Sequence, residues 1–226
     1  MGKAIFVTAT GTDVGKTFVT GLIVKKLREA GYNAGYYKAA LSGADITENG
    51  VLPGDADYVN RIGNIGERME NLVSYVYQNA VSPHLASRLE GNPVEIEVVK
   101  TAFQKALDKY DFVTMEGSGG IICPIRFDNK KIWLEDIIKE LSLGTLIIAN
   151  AGLGTINSVV LTVEYMKRKN LQVKGIIFNH YHEGNLMEED NKKMVEIMTG
   201  LSVIACVKDH AAELDLDADK LAALYG

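Results

Sequence analysis

The stretch Ile5-Phe6-Val7-Thr8-Ala9-Thr10-Gly11-Thr12-Asp13-Val14-Gly15-Lys16-Thr17 decides the fold of this chain. A short apolar run, typical of a β-strand, leads into a loop of small residues, and Gly15-Lys16-Thr17 then opens an amphipathic helix. This order is that of a phosphate-binding P-loop, in which backbone N–H groups and a helix N-terminus surround an anion. Lys16 is expected to reach the terminal phosphates, and the Thr17 hydroxyl to bind Mg²⁺. The stretch therefore predicts a protein that binds a nucleoside triphosphate.

One position of this loop departs from the usual P-loop pattern. The pattern places a glycine at position 10, where this chain has Thr10. The alternative interpretation is a chance Gly-Lys-Thr at the start of a helix. We favour the P-loop because the strand, the loop and the helix follow one another in the required order.

Length and composition favour a single α/β domain spanning residues 1–226. The net charge is −5, and the sequence has neither a basic stripe nor an apolar run of membrane-spanning length, so we expect no nucleic-acid or membrane partner. Cys123 and Cys206 are too few for a disulfide framework. We expect two reduced thiols in a cytoplasmic protein.

Strand-like and helix-like segments alternate along the chain. Apolar runs predict strands at 34–38, 111–116, 145–150, 173–179 and 202–207. Helical spacing or helix-capping residues predict helices that begin after the P-loop and at 82–91, 94–109 and 156–169. This alternation predicts a doubly wound, mainly parallel α/β sheet with P-loop NTPase-like architecture.

Ligands of such sheets gather at the carboxyl ends of the strands, so polar residues at those ends are candidate site residues. Glu116 closes an apolar strand and could bind Mg²⁺ directly or through water. Lys38 could neutralise a transferring phosphoryl group or could be an exposed surface lysine. Either Asp55 or Asp57 could be a second metal carboxylate or a helix cap. Asp13 is expected to face a cationic substrate or Mg²⁺ rather than phosphate.

Two histidines, His180 and His182, follow the predicted strand at 173–179. This spacing would indicate a metal site only with further ligands, and the neighbouring sequence offers no other Cys or His. We therefore favour an interpretation without a metal there.

Taken together, the motifs resemble the dethiobiotin synthetase family, whose members close a ureido ring at the expense of ATP during biotin synthesis. The matching pieces occur in family order: Thr12-Asp13-Val14-Gly15-Lys16-Thr17, Gly35-Tyr36-Tyr37-Lys38 with Ser42-Gly43, Gly54-Asp55-Ala56, Ser82-Pro83-His84, Glu116-Gly117-Ser118-Gly119-Gly120, and Gly154-Thr155-Ile156-Asn157.

This resemblance implies a homodimer that converts 7,8-diaminononanoate, CO₂ and MgATP into dethiobiotin, ADP and phosphate. The catalytic residues it implies are Lys16, Lys38, Thr12 and Ser42, with Thr12 and Ser42 at the substrate carbamate. The Mg²⁺ ligands it implies are Thr17, Asp55 and Glu116. The ATP-binding residues are those three together with Asp13, Val14, Gly15, Lys16, Phe18 and Asn179. The substrate would also contact Gly117, Ser118, Gly119, Gly154, Thr155, Ile156 and Asn157, the last four across the dimer interface.

Three other kinds of protein share parts of this pattern. A partitioning ATPase of the ParA and MinD kind carries a signature lysine where this chain has Gly11. An amidoligase of the cobyrinate type would need a glutaminase partner. A small-molecule kinase would transfer phosphate to a stable product without requiring bicarbonate.

Overall fold

A seven-stranded parallel sheet forms the centre of the structure, a computed structural model that describes residues 2–48 and 50–226. The strands of the described residues are β1 (Lys3–Ala9), β2 (Ala34–Ser42), β3 (Asp45–Thr47), β4 (Gly50–Leu52), β5 (Val73–Tyr77), β6 (Phe112–Glu116), β7 (Pro124–Phe127), β8 (Lys131–Trp133), β9 (Gly144–Asn150), β10 (Val173–Asn179) and β11 (Val203–Cys206). The large sheet has the order β11-β10-β9-β1-β6-β2-β5, and β3-β4 and β7-β8 are separate antiparallel hairpins.

Helices connect most of the parallel strands. In the described part of the chain they are α1 (Lys16–Glu29), α2 (Gly54–Ile62), α3 (Met69–Leu72), α4 (Pro83–Leu89), α5 (Ile96–Lys109), α6 (Leu134–Glu140), α7 (Thr155–Arg168), α8 (Leu186–Thr199) and α9 (Ala218–Ala222). None of these helices is long and apolar enough to cross a membrane.

The sheet carries an apolar core on each face, because successive side chains of a strand point to opposite sides. On β1, Phe6 belongs to the core covered by α5, α6, α7 and α8. Ile5 and Val7 belong to the core covered by α1 and α9. A smaller cluster lies between α2 and the strands β2 and β5. The prediction of a doubly wound, mainly parallel sheet is confirmed.

Most predicted elements are present with small shifts of their ends. The strand predicted at 173–179 has those bounds, and the strand predicted at 34–38 continues to Ser42. The helix after the P-loop ends at Glu29, and Gly31 takes a φ of 87° that suits glycine. We did not predict β5, an edge strand whose side chains alternate between buried and half-buried positions.

The topology places the P-loop at the middle of one sheet edge. β1 lies between β6 and β9 and is parallel to both, so the carboxyl ends of all three strands meet there. β2 lies on the other side of β6, and its register pairs Lys38 with Glu116. Chain segments distant in sequence are thereby brought to one place.

Candidate active site

A cavity of about 310 Å³ opens at the carboxyl ends of β1, β2 and β6. It contains the P-loop, the end of β2, the first turn of α2 and the glycine-rich segment after β6. Its lining residues are Thr12, Asp13, Gly15, Lys16, Thr17, Lys38, Leu41, Ser42, Asp55, Glu116, Ser118 and Gly119. The P-loop, the end of β2 with Lys38, and Glu116 with the glycine-rich segment after it therefore line the same cavity.

The P-loop depends on glycine at position 15 but not at position 10. Gly15 precedes α1 with a φ of 83°, and a Cβ placed there would lie 2.1 Å from Nδ2 of Asn179. Thr10 takes no positive φ, and its N–H donates to the Ile148 carbonyl at 3.0 Å. A β-branched residue is accommodated there because that backbone lies outside the left-handed region that favours glycine.

Lys38 and Glu116 form the buried centre of the site. The Lys38 Nζ donates to Oε1 of Glu116 at 2.8 Å and to Oδ2 of Asp55 at 2.5 Å. Glu116 Oε1 also accepts from the Thr17 hydroxyl at 2.9 Å, and its Oε2 accepts from the Tyr36 hydroxyl at 3.2 Å. Side-chain exposure is 4% for Lys38 and 1% for Glu116. Buried charges at this depth require partners, and each has them.

These contacts control which groups carry charge. Burial opposes the Lys38 ammonium, but the adjacent Glu116 and Asp55 carboxylates outweigh it, and the pKa of Lys38 is raised. Burial also opposes the Asp55 carboxylate, yet Lys38 reverses that effect, and the pKa of Asp55 is lowered. For Lys16 burial prevails over attraction to Glu116, and its pKa is lowered. Lys38 is therefore protonated in the cavity. At the P-loop, a bound anion would stabilise the protonated form of Lys16.

Comparison with known proteins gives a consistent family assignment. The AAA domain family matches residues 3–212. An ATP-dependent dethiobiotin synthetase BioD of Brachyspira hyodysenteriae is 56% identical over 217 residues, covering 95% of this chain and 96% of the relative. One of Clostridium botulinum (strain Loch Maree / Type A3) is 47% identical over 225 residues, covering 100% of this chain and 99% of the relative. The chain belongs to the ATP-dependent dethiobiotin synthetase family.

Solved structures resemble the fold at low sequence identity. The septum site-determining protein MinD of Pyrococcus horikoshii, complexed with Mg-ADP, has a TM-score of 0.55 at 14% identity, covering 92% of this chain and 82% of that protein. A ParA family ATPase of Chlorobium tepidum has a TM-score of 0.54 at 11% identity, covering 99% of this chain and 88% of that protein. At this identity the likeness is one of fold, and the P-loop NTPase-like architecture is confirmed.

Several residues expected for a dethiobiotin synthetase lie in the cavity. Thr12, Ser42, Ser118 and Gly119 line it beside the lysines. Asp55 lines it too, whereas Asp57, the other carboxylate that the sequence left open, does not. The Ser118 hydroxyl donates to the Ala40 carbonyl at 2.8 Å and so ties the segment after β6 to β2.

Other expected residues lie outside this cavity. Asn157 lines a neighbouring groove of about 460 Å³ that shares Thr12 with the cavity, and Gly154, Thr155 and Ile156 line neither space. Gly117 packs against the core, where a Cβ would lie 2.9 Å from the Phe6 ring. Three expected ATP-binding residues, Val14, Phe18 and Asn179, also lie outside the cavity.

Asn179 is attached to the back of the P-loop. Its Nδ2 donates to the Val14 carbonyl at 3.0 Å, and this bond fixes the orientation of the amide. Its Oδ1 is buried and has no hydrogen-bond partner among the residues that the structure describes. A buried acceptor in this condition is suited to a donor on a ligand.

Two site residues were not singled out from the sequence. Leu41 lines the cavity, and its only signal is its place near the end of β2. Tyr36 lies two residues before Lys38, on the same face of β2, and reaches Glu116. Burial, and next the negative charge of Glu116, raise the pKa of Tyr36 well above its usual value, so the phenol remains a donor.

The two histidines after β10 form hydrogen bonds at the surface. His180 Nδ1 pairs with Asp209, and His182 Nδ1 lies 3.0 Å from Oε1 of Glu188. Within residues 2–48 and 50–226, no group of three or more His, Cys, Asp or Glu residues is arranged to hold a metal ion. Their contacts instead link the segment after β10 to those beside α8 and β11.

Proposed function

We propose that this chain joins 7,8-diaminononanoate and CO₂ in an ATP-dependent ring closure that yields dethiobiotin, ADP and phosphate. The observation that carries the proposal is the convergence of Lys16, Thr17, Lys38 and Glu116 on one cavity. It occurs in a chain that is 56% identical to a protein named for this activity.

The chemistry requires activation of a poor leaving group. One amine of the substrate adds to CO₂ and loses a proton, which gives a carbamate. A carbamate oxygen then attacks the γ-phosphorus of ATP and breaks its bond to the bridging oxygen of ADP. The second amine attacks the carbonyl carbon of the resulting carbamic–phosphoric anhydride, expels phosphate and loses a proton. The protein needs no covalent nucleophile for this sequence, only positioning and charge neutralisation.

The lysines supply the charge neutralisation in this proposal. Lys16, at the start of α1, would contact the terminal phosphates together with the P-loop N–H groups. Lys38, from the opposite wall, would contact the oxygens of the phosphoryl group as it moves to the carbamate. Thr12 and Ser42 offer hydroxyls for hydrogen bonds to the carbamate, and Asp13, an exposed neighbour, offers a carboxylate for the remaining amino group.

The oxygen donors of the cavity fit Mg²⁺. Thr17, Asp55 and Glu116 present a hydroxyl and two carboxylates close enough for a single ammonium to contact both carboxylates. Mg²⁺ favours such a sparse set of hard oxygens, completed by phosphate oxygens and water. When bound, the ion would neutralise negative charge on the triphosphate. Thr17, Asp55 and Glu116 would hold it.

The unpaired Oδ1 of Asn179 supports adenine as the base. The 6-amino group of adenine is a donor, whereas guanine has a carbonyl acceptor at that position. Since the bond from Nδ2 to Val14 fixes which amide atom remains free, an acceptor facing the base would favour ATP.

A homodimer would complete the substrate site. Around the groove beside Thr12, Ile122 and Leu161 are 60% and 61% exposed, and Leu153, just before α7, is 92% exposed. Exposed apolar residues clustered at a groove are typical of an interaction site. Close by, the buried Thr155 hydroxyl has no hydrogen-bond partner in the described part of the chain. It and the α7 N-terminus would receive the substrate carboxylate bound at the partner's cavity.

A cytoplasmic location agrees with the cysteine chemistry. Cys123 and Cys206 are both free, and burial raises the pKa of Cys123 to about 11. A buried, protonated thiol of this kind is unreactive and suits a reducing compartment.

The assay that tests the function combines purified protein, 7,8-diaminononanoate, MgATP and ¹⁴C-bicarbonate. We expect acid-stable label in a ureido product, with ADP and phosphate formed in equal amounts and only when both substrates are present. ATP hydrolysis indifferent to both substrates would indicate a switch ATPase instead. A phosphorylated product formed without bicarbonate would indicate a kinase.

A further inference from the structure

Lys38 lies between the two carboxylates of the cavity. Its ammonium contacts Oδ2 of Asp55 at 2.5 Å and Oε1 of Glu116 at 2.8 Å, and these are the carboxylates proposed for Mg²⁺. We infer that Lys38 is a stand-in cation, which holds the two carboxylates until the metal and nucleotide arrive and then turns to the transferring phosphoryl group. This inference rests on the proposed function.

A metal ion bound by these carboxylates would compete with Lys38 for the same negative charge. Mg²⁺ binds oxygen at about 2.0–2.1 Å and demands a near-ideal octahedron. The Lys38 ammonium already donates to one oxygen of each carboxylate that would hold such an ion. Two cations at the same spot would also repel each other strongly, because little water remains there to screen them. Metal entry therefore requires Lys38 to leave.

The displaced ammonium has one suitable destination. Lys38 is 4% exposed, so an ammonium separated from Asp55 and Glu116 would be a buried charge without a partner. The same cavity is lined by Lys16, Thr12 and Ser42, where the terminal phosphate and the carbamate would lie. A triphosphate supplies the anionic oxygens that Lys38 then needs. Metal without nucleotide offers no such compensation.

The remaining contacts of Glu116 keep its carboxylate in place during this exchange. Tyr36 donates to Oε2 and Thr17 to Oε1, at 3.2 and 2.9 Å. Neither contact depends on Lys38. The exchange therefore needs movement of one flexible side chain, while the backbone of β2 and β6 stays paired in register. Metal binding therefore depends on nucleotide. When both bind, Lys38 leaves the carboxylates and contacts the phosphoryl group that is transferred.

The test measures metal binding directly, with Mn²⁺ as the probe and electron paramagnetic resonance of free Mn²⁺ as the readout. Without nucleotide, the wild-type protein is expected to bind Mn²⁺ weakly. Lys38→Met, which keeps the length of the side chain but removes its charge, is expected to bind Mn²⁺ on the order of 10- to 100-fold more tightly. Lys193→Met is the control: it removes a lysine at an exposed position of α8, outside the cavity, and should change affinity by less than about threefold. Equal Mn²⁺ affinity of folded Lys38→Met and wild type would overturn the inference.

A second pair of measurements separates this inference from the proposed function. Wild-type protein with ATP should bind more Mn²⁺ than the same concentration of ATP alone, and Glu116→Gln should reduce this excess. The absence of any excess in the wild-type protein would count against the metal site itself. A crystal structure of the wild-type protein with MgADP and a phosphate analogue needs no Lys38 variant. We expect Lys38 Nζ on the analogue and more than about 3.5 Å from Oε1 of Glu116. A Lys38–Glu116 contact retained beside a bound metal would contradict the exchange.

Discussion

At the scale of single residues, the site is organised around buried charges that need partners. Lys38 and Glu116 are almost wholly buried, and removal of either would leave the other with an uncompensated charge. Lys16 differs, since its ammonium donates to the Gly11 carbonyl at 3.4 Å and forms no ion pair within the described residues. Lys38 is thus held by two carboxylates, whereas Lys16 is held by one long hydrogen bond within its own loop.

Removal of either lysine should reduce catalysis strongly. We expect Lys16→Ala and Lys38→Ala each to lower kcat by on the order of 10² or more, because each would contact charge that develops during phosphoryl transfer. Steady-state rates of ADP formation measure this, with circular dichroism to check folding. Lys193→Ala, at an exposed position of α8, is the control and should retain full activity. A loss of less than about tenfold in both site variants would contradict the roles assigned to them.

The second residue-scale prediction concerns the nucleotide base. Asn179→Ala removes the unpaired amide oxygen and the bond to Val14, and we expect the KM for ATP to rise about tenfold. The preference for ATP over GTP should fall at the same time. Competition between the two nucleotides in the ring-closure assay measures it, and an unchanged preference would exclude Asn179 from base selection.

At the scale of elements, strand register determines which groups meet. The parallel pairing of β2 and β6 sets Lys38 beside Glu116, and Tyr36 reaches the same carboxylate from the same face of β2. A slip of one residue would turn Lys38 to the opposite face of the sheet. Tyr37 and Ala39, on that opposite face, belong to the apolar core, so a slipped strand would bury the Lys38 charge there without a partner.

Hydrogen bonds and an ion pair of Glu67 link the segment after α2 to the end of α5. Glu67 accepts from the Tyr110 hydroxyl at 2.9 Å and from Asn71 at 3.0 Å, and it pairs with Lys109. Chiefly through Lys109, and against some burial, these bonds lower the pKa of Glu67 to about 2. Because the pKa is lower in the folded state, the stabilisation is fully present above about pH 4.5 and is lost as pH falls towards about 2.

We therefore expect Glu67→Gln to lower the free energy of unfolding by about 1–2 kcal/mol at pH 7. The difference from wild type should narrow progressively below about pH 4.5. Urea unfolding at several pH values measures it. Glu70→Gln, which removes an exposed carboxylate paired with Arg68, should change stability by less than about 0.5 kcal/mol at any pH. A Glu67→Gln difference that stays constant with pH would contradict the assigned ionisation.

The sequence predicted six of the seven strands of the large sheet and several residues that line the cavity, but it predicted neither α6, α8 and α9 nor how side chains pair. The P-loop and the strands buried on both faces were recognisable because their apolar runs are continuous. β5 was missed because only alternate residues are fully buried, and β3, β4, β7 and β8 are only three or four residues long. The contact of Tyr36 with Glu116 joins residues 80 positions apart, so no local pattern could reveal it. The same holds for the choice of Asp55 over Asp57 as the carboxylate beside Lys38, which depends on how α2 packs.

At the scale of the whole molecule, apolar cores pack on both faces of the sheet, and the cavity lies at the carboxyl ends of its strands. Helices cover both faces of β1, so the P-loop extends from a strand that is buried on both sides. The groove beside Thr12, by contrast, is bordered by exposed Ile122 and Leu161. The residues proposed to bind the triphosphate and Mg²⁺ all come from one chain, whereas our proposal assigns part of the substrate site to a partner.

The dimer prediction follows from that difference. We expect the wild-type protein to be a dimer by light scattering and Leu161→Lys to be a monomer, because a charge would be buried at the interface. The monomer should lose more than about tenfold in kcat/KM for 7,8-diaminononanoate while Mn²⁺–ATP binding stays within about twofold. Leu89→Lys, at an exposed apolar position of α4, is the matched control and should remain dimeric. A fully active Leu161→Lys monomer would contradict the shared site.

The most direct test of the account follows oxygen from bicarbonate into phosphate. If the cavity brings a carbamate oxygen to the γ-phosphorus, ring closure with freshly dissolved ¹⁸O-bicarbonate should place one ¹⁸O in each phosphate released, and leave one in the ureido carbonyl. Mass spectrometry of the phosphate, within a single short incubation, reads this directly. Phosphate that carries no ¹⁸O while labelled dethiobiotin accumulates would contradict phosphoryl transfer to the carbamate, and with it the joint action of the P-loop, Lys38 and Glu116 on one triphosphate.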